Sequence, residues 1–248
     1  MAMSGAARPL VWITRPQPGA DRTAVRIAGM GFEPLVLPLT EVGAVAPEVA
    51  PEEAERTDFV AATSGNAFRL APASLARTLS ARKTYVVGDA TAAEARARGF
   101  RDVVSARGAV DDLVALIAES EPAGRSGLYL CGRRRTGDLE GKLAEKGISC
   151  RLAEVYETVS VSWPTEKLSA ALSGRRPDAV LLHSALSAQA LSGSATDDIP
   201  HILENARLFV LSERIAEALP GSLRARAAVA AAPNEENLLA ALRAAFAA

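Results

Sequence analysis

At 248 residues with 49% hydrophobic content, the chain is long enough for two cores of ordinary size, and two domains are expected. Its 28 basic and 29 acidic residues leave a formal charge of -1, which excludes the long-range field that draws proteins onto nucleic acid or an anionic membrane. Aromatics, at 4%, are too sparse for base-stacking platforms, so no nucleic-acid partner is expected. Met1 to Pro9 lack the apolar core of a signal peptide, and no run approaches the roughly 20 apolar residues of a membrane span, so a cytoplasmic location without membrane attachment is expected. The two cysteines, Cys131 and Cys150, stand in apolar runs without CxxC spacing and read as buried structural thiols in a reducing compartment.

Short runs rich in Val, Leu and Ile recur along the chain, each followed by a small polar turn and an alanine-rich segment of helical period. That pattern predicts parallel sheets covered by helices, an α/β fold. In chain order the strands are predicted at Leu10–Thr14, Phe32–Leu37, Asp58–Thr63, Thr84–Val87, Asp102–Ser105, Gly127–Cys131, Asp178–His183, Leu208–Leu211 and Ala227–Ala231, with helices in the gaps.

The later elements repeat the earlier ones. Asp58-Phe-Val-Ala-Ala-Thr-Ser64 matches Asp178-Ala-Val-Leu-Leu-His-Ser184, and Thr84-Tyr-Val-Val-Gly88 matches Leu208-Phe-Val-Leu-Ser212. The strand at Asp102 with the acidic helix start Asp111-Asp112 matches the strand at Ala227 with Glu235-Glu236. The next unit, Leu128-Tyr-Leu-Cys-Gly-Arg133, finds its counterpart only at the beginning, in Leu10-Val-Trp-Ile-Thr-Arg15. The second copy is therefore circularly permuted, and one domain is inserted in the other. The boundaries expected are a discontinuous domain of residues 1–38 plus 160–248, an inserted domain of residues 41–155, and extended linkers near 38–42 and 154–159 that act as a two-stranded hinge.

The chain has no GxGxxG fingerprint, no phosphate loop and no GxSxG elbow. His183 ends a predicted strand and His201 follows Pro200, neither with a partner at ligand spacing, so no metal site is expected. What remains are strand ends that turn into helices through small polar residues: Thr14-Arg15, Thr63-Ser64-Gly65-Asn66, Gly88 with Thr91, Gly132-Arg133, Ser184 and Ser212. In a parallel sheet these share one edge, where ligands bind and where free amides at helix starts favour carboxylates or phosphates. For any single Ser or Thr there, ordinary helix capping is the better reading. Arg15 and Arg133 follow matched strands, and the run Arg133-Arg134-Arg135 suits a polycarboxylate. Tyr156 brings a phenol into the second linker. The site is expected in a cleft between the domains.

Taken in order, the inserted-domain repeat, Val-Trp-Ile-Thr-Arg-Pro16 with Gly19, Thr63-Ser64 with Asn66, Val87-Gly88 with Thr91-Ala92, and Val155-Tyr156-Glu157-Thr158 resemble uroporphyrinogen-III synthases over nearly the whole chain. The resemblance implies two flavodoxin-like domains and a cyclising lyase of tetrapyrrole (porphyrin and heme) biosynthesis. Its substrate is the linear tetrapyrrole hydroxymethylbilane, a polycarboxylate, which closes to uroporphyrinogen III with inversion of ring D and loss of water. It further implies no cofactor, Tyr156 as acid or hydrogen-bond donor, and Thr63, Ser64, Thr91 and Ser184 around the substrate; the strand-end reading adds Arg15, Asn66, Gly88, Arg133 and Ser212, and a monomer is expected. Where many members carry Gly and Thr this chain has Ser212 and Ile215, so backbone amides must serve at that junction. A non-catalytic two-lobed binding module is the alternative that the same architecture allows.

Overall fold

The computed structural model describes residues 7–135, 137–193 and 199–247, so the N-terminal reading above rests partly on residues outside the described chain. Strands form at β1 (Leu10–Ile13), β2 (Glu33–Val36), β3 (Thr40–Ala44), β4 (Phe59–Ala62), β5 (Lys83–Val86), β6 (Val103–Ser105), β7 (Ser126–Gly132), β8 (Ser149–Ser160), β9 (Ala179–Leu182), β10 (Arg207–Val210) and β11 (Ala227–Val229). The chain divides into two compact units, the first of residues 1–41 and 159–248, the second of residues 42–158.

Every strand read from an apolar run is present within a residue or two of its predicted limits. Of the stretches read as linkers, residues 40–42 lie in β3 and residues 154–159 in the 12-residue β8. β8 escaped the search for apolar runs because it alternates: Ser149 and Arg151 are exposed while Cys150 and Leu152 turn inward against Ile117, Leu139 and Leu143.

The first unit carries a five-stranded sheet in the order β11-β10-β9-β1-β2, parallel throughout. The second carries β3-β8-β7-β4-β5-β6, in which every pairing from β8 to β6 is parallel. Renumbered along the chain, the first sheet has the flavodoxin order 2-1-3-4-5, and the second, apart from β3, has 3-2-1-4-5 if counted from β4 with β7 and β8 following on its other side. These are one layout opened at different connections, with β7, β8, β4, β5 and β6 standing where β1, β2, β9, β10 and β11 stand in the other unit. Hydrogen bonds at the strand starts repeat the match. The Asp58 amide donates to Ser126 O (2.8 Å) and its carboxylate accepts from Ser126 N (2.8 Å). The Asp178 amide donates to Leu10 O (2.8 Å) and its carboxylate accepts from Leu10 N (2.7 Å).

Helices cover both faces of each sheet, which is why the central strands are apolar at every position. In β1, Trp12 packs with Leu37, Leu182 and Leu208, while Val11 and Ile13 pack with Ile27, Leu181 and Leu242 on the other face. In β4, Val60 and Ala62 face Phe68, Val86 and Leu130, while Phe59 and Ala61 face Tyr85, Leu113 and Tyr129. Each fully buried large side chain contributes about 1.5–3 kcal/mol. Among the described residues no helix is long and apolar enough to cross a membrane.

Candidate functional site

A parallel sheet opens a crevice at its carboxyl edge where the strand order reverses, because the helices leaving the two adjoining strands run to opposite faces. The reversal lies between β1 and β9 in the first unit and between β4 and β7 in the second. Each of these switch points gathers residues singled out from the sequence.

In the second unit β4 ends in Thr63 and Ser64. The Thr63 hydroxyl is 2.8 Å from the Tyr129 phenol of β7. Ser64 is the N-cap of the helix Gly65–Leu70, its hydroxyl accepting from the Asn66 amide at 3.3 Å, and its side chain lies near the Tyr156 phenol of β8. Burial raises the Tyr156 pKa above the ordinary phenol value, opposed by the nearby Ser64 hydroxyl and reinforced by Cys131. Burial likewise pushes Tyr129 up to about 12 against the Thr63 hydrogen bond. The site is thus a group of protonated hydroxyls that donate and do not ionise. Cys131 beside them is pushed up to about 11, and Cys150 to about 12, by burial, so neither thiol supplies a thiolate at neutral pH.

At the next junction of this edge, Gly88 is the N-cap of the helix Asp89–Ala97 and leaves its first-turn amides without a side-chain cap. A β-carbon at Gly88 would meet nothing within 4 Å, so its place opens on free space. Thr91 lies in the first turn, 8% exposed. Asn66 is tied by Oδ1 to Arg69, which also pairs with Glu94. Arg133 does not offer a free guanidinium: it bonds Glu157 at 2.9 Å and faces Glu154 at 3.9 Å on an exposed side chain. Arg135 is shared between Glu140 (3.2 Å) and Glu154 (3.1 Å).

In the first unit the switch point holds Arg15, His183 and Ser184. Arg15 lies over Gly19 and bonds Glu235 (3.3 Å) and Thr23 (3.4 Å). Burial lowers its pKa, outweighing the attraction of Glu235. Glu235 also pairs with Arg26 at 3.2 Å and accepts from the Thr23 hydroxyl. Burial raises the Glu235 carboxyl, but the Thr23 hydrogen bond and Arg15 prevail and hold it below its usual value. Ser184 is engaged locally, 2.8 Å from the Ser187 hydroxyl and accepting from the Ser187 amide at 3.1 Å. Ser212 is the N-cap of the helix Glu213–Glu217 without a side-chain cap bond, in the same extended backbone as its repeat counterpart Gly88 (φ -160° against -156°).

The structure thus brings Thr63, Ser64 and Tyr156 together, leaves Gly88 and Ser212 as uncapped helix starts, and commits Arg15 and Arg133 to internal glutamates. The sequence reading missed Tyr129, and named Gly132 only as a strand end and Glu235 only as an acidic helix start. Tyr129 carried a visible signal, a phenol inside an otherwise aliphatic strand. Among the described residues no group of three or more His, Cys, Asp or Glu is arranged to hold a metal ion. A cavity of about 380 Å³ lined by Glu53, Arg56, Ser126 and Arg151 lies where β7 begins, at the opposite edge of the sheet, and contains none of these residues.

Two solved structures share this architecture. The uroporphyrinogen-III synthetase of Helicobacter pylori superposes with a TM-score of 0.62 at 19% identity, over 96% of this chain and 99% of that one. A mutant uroporphyrinogen III synthase from the extremely thermophilic bacterium Thermus thermophilus gives 0.51 at 19% identity, over 97% and 99%. At such identities the likeness speaks for the fold alone. Comparison with curated proteins returns no match. The sequence model of the family described as uroporphyrinogen-III synthase HemD, however, matches residues 21–240, a span that takes in the switch point of the second unit and every strand but β1. By that match the chain belongs to the uroporphyrinogen-III synthase family.

Proposed function

We propose that this chain closes hydroxymethylbilane to uroporphyrinogen III, inverting ring D and releasing one water, with the reacting end of the substrate held at the switch point of the second unit. The protein is a cyclising lyase of tetrapyrrole biosynthesis. The observation that carries the site is the placement of Tyr156, a half-buried phenol packed against the core of the second unit, whose pKa is raised by burial and whose neighbour is the Ser64 hydroxyl.

The reactive carbons belong to the substrate. Departure of its terminal hydroxyl leaves an azafulvene cation; the substituted carbon of ring D attacks it to give a spiro intermediate, which fragments and recloses at the other carbon. The protein's part is to fold the linear chain into a near-ring and to meet the developing charge with fixed dipoles. Tyr156, protonated at neutral pH, donates to the departing oxygen. Thr63 and Tyr129 form the wall behind it. The uncapped amides after Gly88, with Thr91, receive a substrate carboxylate, as do the backbone amides after Ser212; Asn66 and Ser184 line the two edges. Arg15 and Arg133 meet a substrate carboxylate only by exchanging Glu235 and Glu157 for it. The formal charge of -1 supports action without a nucleic-acid partner, and we take the protein to work as a monomer in the cytoplasm.

The test is to supply freshly generated hydroxymethylbilane, oxidise the products and separate the uroporphyrin isomers beside a no-enzyme control. Type III isomer is expected in excess. The Tyr156→Phe variant should lose about ten- to a hundred-fold in turnover and retain the rest, since amides share the work. Type I isomer at the control rate would overturn the synthase reading, and wild-type turnover in Tyr156→Phe would remove that residue from its role.

A further inference from the structure

Gly132 closes β7 where β8 breaks register. Cys131 pairs with Glu154 but Gly132 pairs with Tyr156, so Val155 is the extra residue of a bulge. A bulge re-aims the side chain that follows it. Here Val155 and Tyr156, which an unbroken strand would send to opposite faces, both pack on the core built by Val60, Ala62 and Leu130. The Tyr156 ring then occupies the space a side chain at position 132 would need. A β-carbon on Gly132 would stand 2.6 Å from Cε2, 2.8 Å from Cζ and 3.2 Å from Cδ2 of that ring.

The two ordinary reasons for a glycine do not apply at this position. Its backbone is outside the left-handed region that Gly31, Gly99, Gly124, Gly137, Gly147 and Gly174 occupy. The junction itself accepts a side chain, because the repeat counterpart of Gly132 is Thr14, fully buried at the end of β1 with its hydroxyl donating to Leu181 O at 2.7 Å. Only the Tyr156 ring remains to demand the missing β-carbon.

We propose that Gly132 is a positioning residue for Tyr156, its bare backbone and the bulge at Val155 together holding the phenol beside Ser64 at the switch point. The inference rests on the role given to Tyr156 above. A methyl group at position 132 displaces the ring from Ser64 and from the departing hydroxyl while leaving the substrate's carboxylate contacts in place.

The experiment compares Gly132→Ala, Tyr156→Phe and their double variant with freshly generated hydroxymethylbilane, and follows the alkaline tyrosinate absorbance of each protein. Gly132→Ala should lower kcat about ten-fold or more with KM within about two-fold of wild type, and the double variant should be no slower than the slower single one. Of the three tyrosines, the one missing in Tyr156→Phe should ionise at lower pH in Gly132→Ala. Rate losses that multiply in the double variant, an unmoved titration or a wild-type kcat in Gly132→Ala would overturn the proposal. Should Tyr156→Phe itself turn over like wild type, the catalytic reading of Tyr156 falls, and melting curves decide the seating alone. Gly132→Ala should lower the melting temperature in the wild-type background and not in Tyr156→Ala, and an equal loss in both would sink the seating as well.

Discussion

His183 is the least satisfied side chain at either switch point. Both ring nitrogens are shut off from solvent without a hydrogen-bond partner, whereas Thr63, its counterpart in the other unit, bonds Tyr129. Val11 stands where that tyrosine would be, so the imidazole has nothing to bond. Burial pushes its pKa down to about 4, helped by Arg15 and opposed by Glu235. An unfolded chain takes up this proton near the ordinary value of 6.5, so between pH 6.5 and 4 the unfolded state binds more protons and stability falls as the pH drops. The full effect approaches about 3 kcal/mol and is absent above the unfolded pKa. His183→Leu removes both the orphaned nitrogens and the titration. In urea unfolding it should match or exceed wild type at pH 7 and lead by a wider margin at pH 4.5. Parallel pH dependences would show that the folded imidazole protonates freely. The same residues show how far a site can be read in one dimension. Thr63 and Ser64 could be picked out as candidates because a strand end and its polar turn announce themselves locally, and Tyr156 because it is a lone phenol in the stretch read as a linker. The bond between Arg15 and Glu235 spans 220 positions and the fit of Gly132 to Tyr156 depends on a bulge, so neither leaves a local trace.

Strands in these sheets are fixed by what lies beside them as much as by their own pattern. Phe59 of β4 is registered opposite Gly127 of β7, and a β-carbon at Gly127 would fall 2.2–2.8 Å from the Phe59 ring. The fully buried ring also packs edge to face on Tyr85 at 5.7 Å, which resists its displacement. Gly127→Ala should therefore cost about 1–3 kcal/mol by overpacking, seen as a lower urea midpoint, although alanine is the better strand former at an open position. A midpoint equal to wild type would mean that the β4–β7 pair can separate at low cost. Elements such as β4, β7 and β9, buried on both faces, were legible as apolar runs. β8 was not, since a half-buried strand writes alternation, and its Arg and Glu residues hid the period of two.

Viewed across both units, the chain is one sheet layout used twice with different openings, and each copy keeps its core to itself. The two core clusters of the first unit draw only on residues 10–39 and 163–246, and those of the second only on residues 49–156. The first unit is also closed beside the insertion: Val161 N donates to Leu39 O at 2.8 Å and Trp163 Nε1 donates to Pro38 O at 2.8 Å. A short glycine linker replacing residues 42–158 would therefore bridge neighbours, at a loop entropy far below that of an unconstrained closure. The chain supplies its own probes, since both tryptophans, Trp12 and Trp163, lie in the first unit and all three tyrosines, Tyr85, Tyr129 and Tyr156, in the second. Tryptophan fluorescence of the full chain should report a transition of the first unit alone, and the shortened chain should reproduce its midpoint within about 5 °C, with a single cooperative melt. A broad melt or a midpoint lower by more than about 10 °C would mean that the first core draws stability from the inserted unit, and that the permuted copy is a structural support as well as a second binding edge.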